Sequence, residues 1–436
     1  MSTANTVHQT IATIATQVAT FLVSTAIGIL VTRVLGPDGK GFYFLAISLT
    51  TLIFVFIKSS IEVAGTYYVG KKEYGVNQLP AHYLFSSLLM TVVAYLALAL
   101  GWRHLEAWLF PNLPLIYAVI ALLALPANLV ILYFASILMI PNKVAKYNRI
   151  FIFQNLVSTI LLVFFIFVLR SGALGAIIAW TITLWIAALY SIYVVRSEIG
   201  IPLTVKASFL RKLFSFGLKG HIGEITDYFI DRTDAFLVNY FLGITNVGYY
   251  SIALMAELLW YIPNSIIAIL YPKFSAGGHD TLGLAMQACR ITLFVTAIPG
   301  LLLMLLAKPL VLIAFGPSFA PAIAPLVIAV PGIVSLSISK CLKIYLSSQG
   351  LPLPASYASL IAYAVNLSLN IVIIPRYGLS GAAAVGSISY ILYALIIFGQ
   401  FSWRYNASFV DTIFIKVADI RMITAMLLRR TETKMI

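Results

Sequence analysis

Leu35-Gly36-Pro37-Asp38-Gly39-Lys40-Gly41-Phe42-Tyr43-Phe44-Leu45-Ala46 returns later in the chain as Leu242-Gly243-Ile244-Thr245-Asn246-Val247-Gly248-Tyr249-Tyr250-Ser251-Ile252-Ala253. The offset is 207 residues, and Leu, two Gly, one Tyr and Ala coincide. A second echo, at an offset of 206, pairs Arg170-Ser171-Gly172-Ala173-Leu174-Gly175-Ala176 with Arg376-Tyr377-Gly378-Leu379-Ser380-Gly381-Ala382. Asn155-Leu156 and Asn366-Leu367 form a weaker third pair. A repeat of half the chain is far too long for a solenoid unit. In a strongly apolar chain it points to two related lobes around a central site.

The chain is 61% hydrophobic and 10% charged, with a mean hydropathy of +1.00. A soluble domain would carry about 25% charged residues. Apolar runs long enough to cross roughly 30 Å of hydrocarbon recur from end to end. The short alternating segments of a membrane barrel are absent. The fold class is therefore all-α and membrane-spanning. We expect about twelve spans: 9–32, 42–69, 81–101, 114–140, 149–169 and 173–195, then 213–242, 247–272, 285–306, 322–347, 355–374 and 379–403. The domains follow as an N-terminal six-helix lobe (1–205), a C-terminal six-helix lobe (206–405) and a cytoplasmic amphipathic tail (406–436). With an even number of spans each, the lobes share one topology and a pseudo-two-fold axis along the membrane normal.

The net charge of +14 is spread over short loops, without the basic patch of a nucleic-acid-binding domain. It reports orientation instead. With the N-terminus inside, the inner loops and tail hold 16 Lys and Arg and the outer loops six, including Arg33 and Lys40. That bias places both ends in the cytoplasm and the protein in the cytoplasmic membrane. Arg33 after a first span with no basic residue before it favours the reverse, but the full count outweighs it. No basic leader precedes the first span, so no cleavable signal peptide is expected. Cys289 and Cys341 lie in spans and form neither a zinc cluster nor a disulfide framework.

Charges within spans are the candidate functional groups. Glu224, Asp227, Asp231 and Asp234 in the seventh are spaced three, four and three apart, on one helical face. Lys219, His221 and Arg232 accompany them. One charge at mid-bilayer costs at least roughly 2.5–3.5 kcal/mol, so four carboxylates cannot face lipid. Such a face lines a wet cavity, forms a structural ion-pair cluster, or lies partly at the cytoplasmic edge. Lys58 and Glu62 in the second span, four apart, are placed to neutralise each other. Glu257 sits near the middle of the eighth span, and Lys340 and Lys343 lie three apart in the tenth. Lys343 and Arg290 are near enough to the inner edge to snorkel. Lys58 and Lys340 are not, and a buried ammonium suits phosphate. Prolines inside spans, above all Pro331-Gly332, are hinges or static kinks. Gly36, Gly41, Gly243 and Gly248 suit tight turns, and Gly378 and Gly381 close helix packing. Neither a nucleotide-binding loop nor a paired-histidine metal motif occurs.

At Arg33-x-Leu35-Gly36-Pro37-x-Gly39-x-Gly41-x-Tyr43, Arg232-x-Asp234-x-Phe236-Leu237, Phe315-Gly316-Pro317-x-Phe319 and Ile374-Pro375-x-Tyr377-Gly378-x-x-Gly381-Ala382-Ala383, the chain resembles the polysaccharide flippase branch of the multidrug/oligosaccharidyl-lipid/polysaccharide exporter superfamily. The O-antigen and exopolysaccharide flippases are the nearest likeness. The resemblance implies two six-helix lobes in a V around a central cavity. It implies a transporter, not an enzyme, that moves a polyprenyl-diphosphate-linked oligosaccharide between leaflets by alternating access. Basic cavity residues would hold the diphosphate, and Arg232 and Asp234 carry over by position. Membrane lipids, and polysaccharide polymerase or ligase proteins, are the implied partners. No cofactor is expected beyond a coupling proton or sodium ion. The rival is a drug or organic-cation antiporter on the same fold, which calls for a strongly negative cavity. A mixed or positive cavity favours the flippase.

Overall fold

A computed structural model describes residues 3–202, 204–275, 280–351 and 353–421. Its helices are α1 (Thr3–Ile57), α2 (Ile61–Gly70), α3 (Leu79–Leu109), α4 (Leu115–Leu122), α5 (Leu125–Met139), α6 (Val144–Val163), α7 (Gly172–Glu198), α8 (Ala207–Leu242), α9 (Ile244–Ala253), α10 (Tyr261–Ser275), α11 (Thr281–Ala314), α12 (Ile323–Ser348), α13 (Leu353–Tyr405) and the short α14 (Phe409–Ile413). No strand occurs among the described residues. Eight helical stretches are long and apolar enough to cross a membrane among those residues. This is a multi-pass membrane protein. Large apolar side chains such as Leu100, Ile160, Leu305 and Ile313 stay exposed because hydrocarbon, not water, is their solvent.

Two helices are longer than one span because each runs through a glycine bend. In α1 the break is Gly36 (φ 65°), and Pro37 then opens the second half. A glycine at the left-handed end of one helix and a proline in the first turn of the next is the usual asymmetry of such junctions. In α13 the break is Gly378 (φ 59°). Gly243, the counterpart of Gly36 in the second copy of the motif, has φ 82°. The repeat thus preserves a backbone conformation as well as letters.

The chain divides into two compact units, residues 1–249 with 314–319, and residues 250–313 with 320–436. In the first, α1, α5, α6 and α7 pack together, and α8 lies against α1, α2 and α3. Its core includes Leu45, Leu49, Tyr83, Tyr133 and Phe236, all nearly or fully buried. The helix that opens the second repeat therefore packs with the first, and this boundary falls later than the repeat boundary near 205. In the second unit, α12 lies along α13 and also meets α10. A methyl on Gly332 would overlap Ser387 Cα, and Ser387 Oγ donates to Ile328 O. Gly332 is thus a seat for α13, while Pro331 beside it is exposed.

Two expectations about the inner edge change. Arg290 does not snorkel. It is 7% exposed, and its guanidinium meets the Asp419 carboxylate, with Nε to Oδ2 at 2.7 Å. Asp419 is 1% exposed and also accepts from Gln287. The tail expected as one amphipathic helix is, in its described part, α14, a break at 414–416 and a second helical turn at 417–421. Residues 422–428 of that expectation lie outside the described residues.

Candidate functional site

The site begins with a break in backbone. Between α1 and α2, Ser59 (φ 50°) and Ser60 (φ 46°) both take left-handed conformations that cost a side-chain-bearing residue strain. Neighbours hold them there. Tyr133 Oη donates to Lys58 O at 2.7 Å. His221 of α8 is buried, with Nδ1 3.1 Å from Ser60 Oγ and Nε2 3.2 Å from Phe56 O. Gly217, one turn earlier, lies so close that a methyl there would overlap Ser59 O. The acidic helix is thus docked by glycine and histidine onto a helix break.

That break corrects one expectation. Lys58 and Glu62 lie on opposite sides of it, so they are not one helical turn apart. Lys58 Nζ pairs instead with Glu224 Oε2 of α8. Glu62 is half-buried, and its Oε2 is buried without a hydrogen-bond partner. Of the α8 stripe, Asp227 and Asp231 are half-buried, and Asp234 is buried with Oδ1 accepting from Ala235 N. Lys219 is exposed.

A cavity of ≈ 220 Å³ opens between the second half of α1 and α8. Lys40, Tyr43, Phe44, Ile47, Ser48 and Thr51 line one wall, and Tyr228 and Arg232 the other. Tyr228 Oη donates to Ser48 O at 2.9 Å, which ties the walls together. Arg232 Nη1 donates to Asp231 O, and Lys40 Nζ lies 5.7 Å from the centre of the Tyr43 ring. The lining carries two cations, four hydroxyl groups and no carboxylate. Sequence reasoning missed Lys40 by assigning it to an outer loop. Once the helix is started at Pro37, the spacing of residues 40, 43, 44, 47, 48 and 51 marks one face.

In the second unit, a run of 3₁₀-helix (Leu254–Trp260) separates α9 from α10. Glu257 lies within it, half-buried. Lys340 of α12 sits with Nζ 4.5 Å from the centre of the Trp260 ring and 3.2 Å from Asn264 Oδ1. Lys343 is half-buried one turn on. No cluster of metal-binding side chains occurs among the described residues.

Arg33 is exposed just before the α1 bend. Gly41 and Gly248 do more than permit turns. A methyl on Gly41 would overlap Ile244 O, and one on Gly248 would overlap Pro37 O. Gly381 is less crowded, a methyl there meeting the side chains of Ile373 and Tyr377.

These motifs agree with a family model. Residues 30–324 match the model described as polysaccharide biosynthesis protein. The chain belongs to this family. Its fold is that of the exporter superfamily. The lipid II flippase MurJ in an inward closed conformation superposes with a TM-score of 0.72 at 16% identity, over 95% of this chain and 93% of that one. An inward-facing multidrug resistance MATE family transporter of the MOP superfamily gives 0.71 at 15% identity, over 88% and 94%. Among curated sequences, the uncharacterised membrane protein MJ1068 of Methanocaldococcus jannaschii is 25% identical over 42% of this chain. Protein DETOXIFICATION 36 of Arabidopsis thaliana is 24% identical over 44%. These matches span 38% and 39% of the relatives' own lengths.

Proposed function

We propose that the protein is a flippase for polyprenyl-diphosphate-linked oligosaccharides, moving them from the inner to the outer leaflet of the cytoplasmic membrane by alternating access. The observation that carries this is the sign of the α1–α8 cavity. Lys40 and Arg232 line it without a carboxylate. An ammonium and a guanidinium lining one cavity suit a diphosphate, whose oxyanions take charge-assisted hydrogen bonds. Tyr43, Ser48, Thr51 and Tyr228 add hydroxyls, so that a sugar entering there exchanges water for protein hydrogen bonds and avoids hydrocarbon. Membership of a polysaccharide biosynthesis family supports the same substrate class. Both termini in the cytoplasm, two six-helix lobes at 1–205 and 206–405, and hand-over to a polymerase or ligase belong to this reading.

A second reading is a proton- or sodium-coupled drug antiporter. The acidic face of α8 and the half-buried Glu62 favour it, as does the likeness to Protein DETOXIFICATION 36. The cation would act at Glu62, Glu224 and His221.

The deciding experiment deletes the gene in its host and measures polyprenyl-diphosphate oligosaccharides by mass spectrometry, with leaflet sidedness. A completed repeat unit should accumulate on the cytoplasmic face. An unchanged lipid pool with new sensitivity to cationic compounds would install the antiporter instead.

A further inference from the structure

Trp260 carries an unexplained group. Its indole Nε1 is buried and has no hydrogen-bond partner. Buried donors are nearly always paired, so an orphan marks a place where water or a ligand belongs. The surroundings say which kind. Tyr390 packs edge-on against the indole at 6.1 Å. Lys340 Nζ lies 4.5 Å from the ring centre and donates to Asn264 Oδ1 at 3.2 Å. Asn264 is exposed, so this polar group opens to water and not to lipid. Glu257 is three residues before Trp260 in a 3₁₀ run, a spacing that eclipses the two side chains. The seven-residue length of that run is itself unusual, and Pro263, which cannot bond back to Leu259 O, follows it. The chain thus departs from α-helix where these side chains meet.

We propose that Trp260, Lys340 and Asn264, with Glu257 beside them, form a subsite for one sugar ring of the transported glycan. The combination is specific in chemistry. An indole and a tyrosine offer apolar surface to a ring's C–H face. The indole N–H and the ammonium donate to ring or hydroxyl oxygens, and the amide and carboxylate accept from hydroxyls. A drug cation would be repelled by Lys340, and a diphosphate would have no use for the aromatic pair. This inference rests on the flippase reading and adds a second contact point, on the glycan and not on the lipid diphosphate.

The test uses the full-length protein in lipid nanodiscs. Saturation-transfer NMR is recorded with a panel of methyl glycosides, with inorganic phosphate as competitor. Binding of undecaprenyl diphosphate is measured separately. Trp260→Phe keeps an aromatic ring at the position and removes the N–H donor. At least one glycoside should receive saturation from the wild type, and the effect should fall at least fivefold in Trp260→Phe and in Lys340→Met. Undecaprenyl diphosphate should bind all three proteins equally. Absence of glycoside binding, equal saturation in Trp260→Phe, or displacement by phosphate would each overturn the subsite. Loss of undecaprenyl diphosphate binding in the wild type would instead count against the flippase reading. A melting temperature of Trp260→Phe equal to the wild type's separates a lost contact from a lost fold.

Discussion

Thr245 Oγ1 donates a hydrogen bond to Asp38 Oδ1, and the two residues are 207 positions apart, the spacing of the repeat itself. Each is the other's counterpart. Around them the contacts are reciprocal, since Gly41 lies against Ile244 and Gly248 against Pro37. At the 207-residue offset Pro37 corresponds to Ile244 and Gly41 to Gly248. The two copies of the motif therefore grip each other around a local two-fold.

Gly41→Ala and Gly248→Ala should each destabilise the protein by about 1–3 kcal/mol, the cost of overpacking against a backbone that has nowhere to go. Gly101→Ala, where open space surrounds the added methyl, should be neutral or stabilising. Thermal unfolding in detergent, followed by tryptophan fluorescence, checks the contrast. Equal melting of all three would show that the motif contact is loose.

Arg232→Ala should abolish most glycan export while leaving protein levels in the membrane unchanged, and Arg232→Lys should restore part of it. Lys40→Ala should behave like Arg232→Ala, because both cations line one cavity. Export assayed by surface polysaccharide, with membrane protein quantified in parallel, decides it. Wild-type export in both variants would remove that cavity from the transport path.

Lys58→Ala should impair export, and so should Glu224→Gln, since each leaves its partner in a half-buried place without its counter-charge. The coupling between them, measured by a double-mutant cycle on thermal stability, should be about 1 kcal/mol or less, because Glu224 is 39% exposed. A coupling of zero would mean that the pair forms no part of what holds α8 to the α1–α2 break.

Asp234→Asn should be harmful and Asp411→Asn nearly silent. Asp234 is buried against the backbone of α8, whereas Asp411 is an exposed partner of Lys416. Comparable export in both variants would deny the seventh-span stripe any special role.

The Arg290–Asp419 pair makes a pH prediction. The Arg290 hydrogen bond holds the Asp419 carboxyl down at about 2, below its ordinary 3.8. A depressed carboxyl contributes stability that is full above the unfolded value, near 4, and is lost as pH falls toward 2. The wild type's melting temperature should therefore drop between pH 4 and pH 2 by more than that of Asp419→Asn. At pH 7, Asp419→Ala should cost about 3 kcal/mol, because it leaves a buried guanidinium unpaired. Parallel acid curves for the two proteins would show that the pair does not anchor the tail.

Much of this was legible in the sequence. Span positions follow from hydropathy, and the twelve expected spans lie mostly on helix, although the second is broken at 58–60 and the fourth at 123–124. The glycine motifs were visible as repeats, but letters do not say that Gly41 and Gly248 face each other's loops. The site was half legible. The spacing of Glu224, Asp227, Asp231 and Asp234 singled out α8, yet the partner of Lys58 came from a distant helix, not from four residues away. Periodicity assumes an unbroken helix, and two serines in left-handed conformation break it between Lys58 and Glu62. Asp419 was hidden for a related reason. Ion pairs 129 residues apart leave no local trace.

The grip between the two glycine motifs has an evolutionary reading. A contact that maps onto itself under a two-fold is the contact that two identical chains make when they pair. Apart from the Asp38–Thr245 hydrogen bond, backbone oxygens and missing side chains make it, so it asks little of the residues around it. A half-length ancestor carrying a single copy of the motif could have joined its own twin through this same surface. Fusion of the two genes would then have kept an old handshake inside one polypeptide and freed the remaining faces to diverge toward whatever cargo each half came to hold.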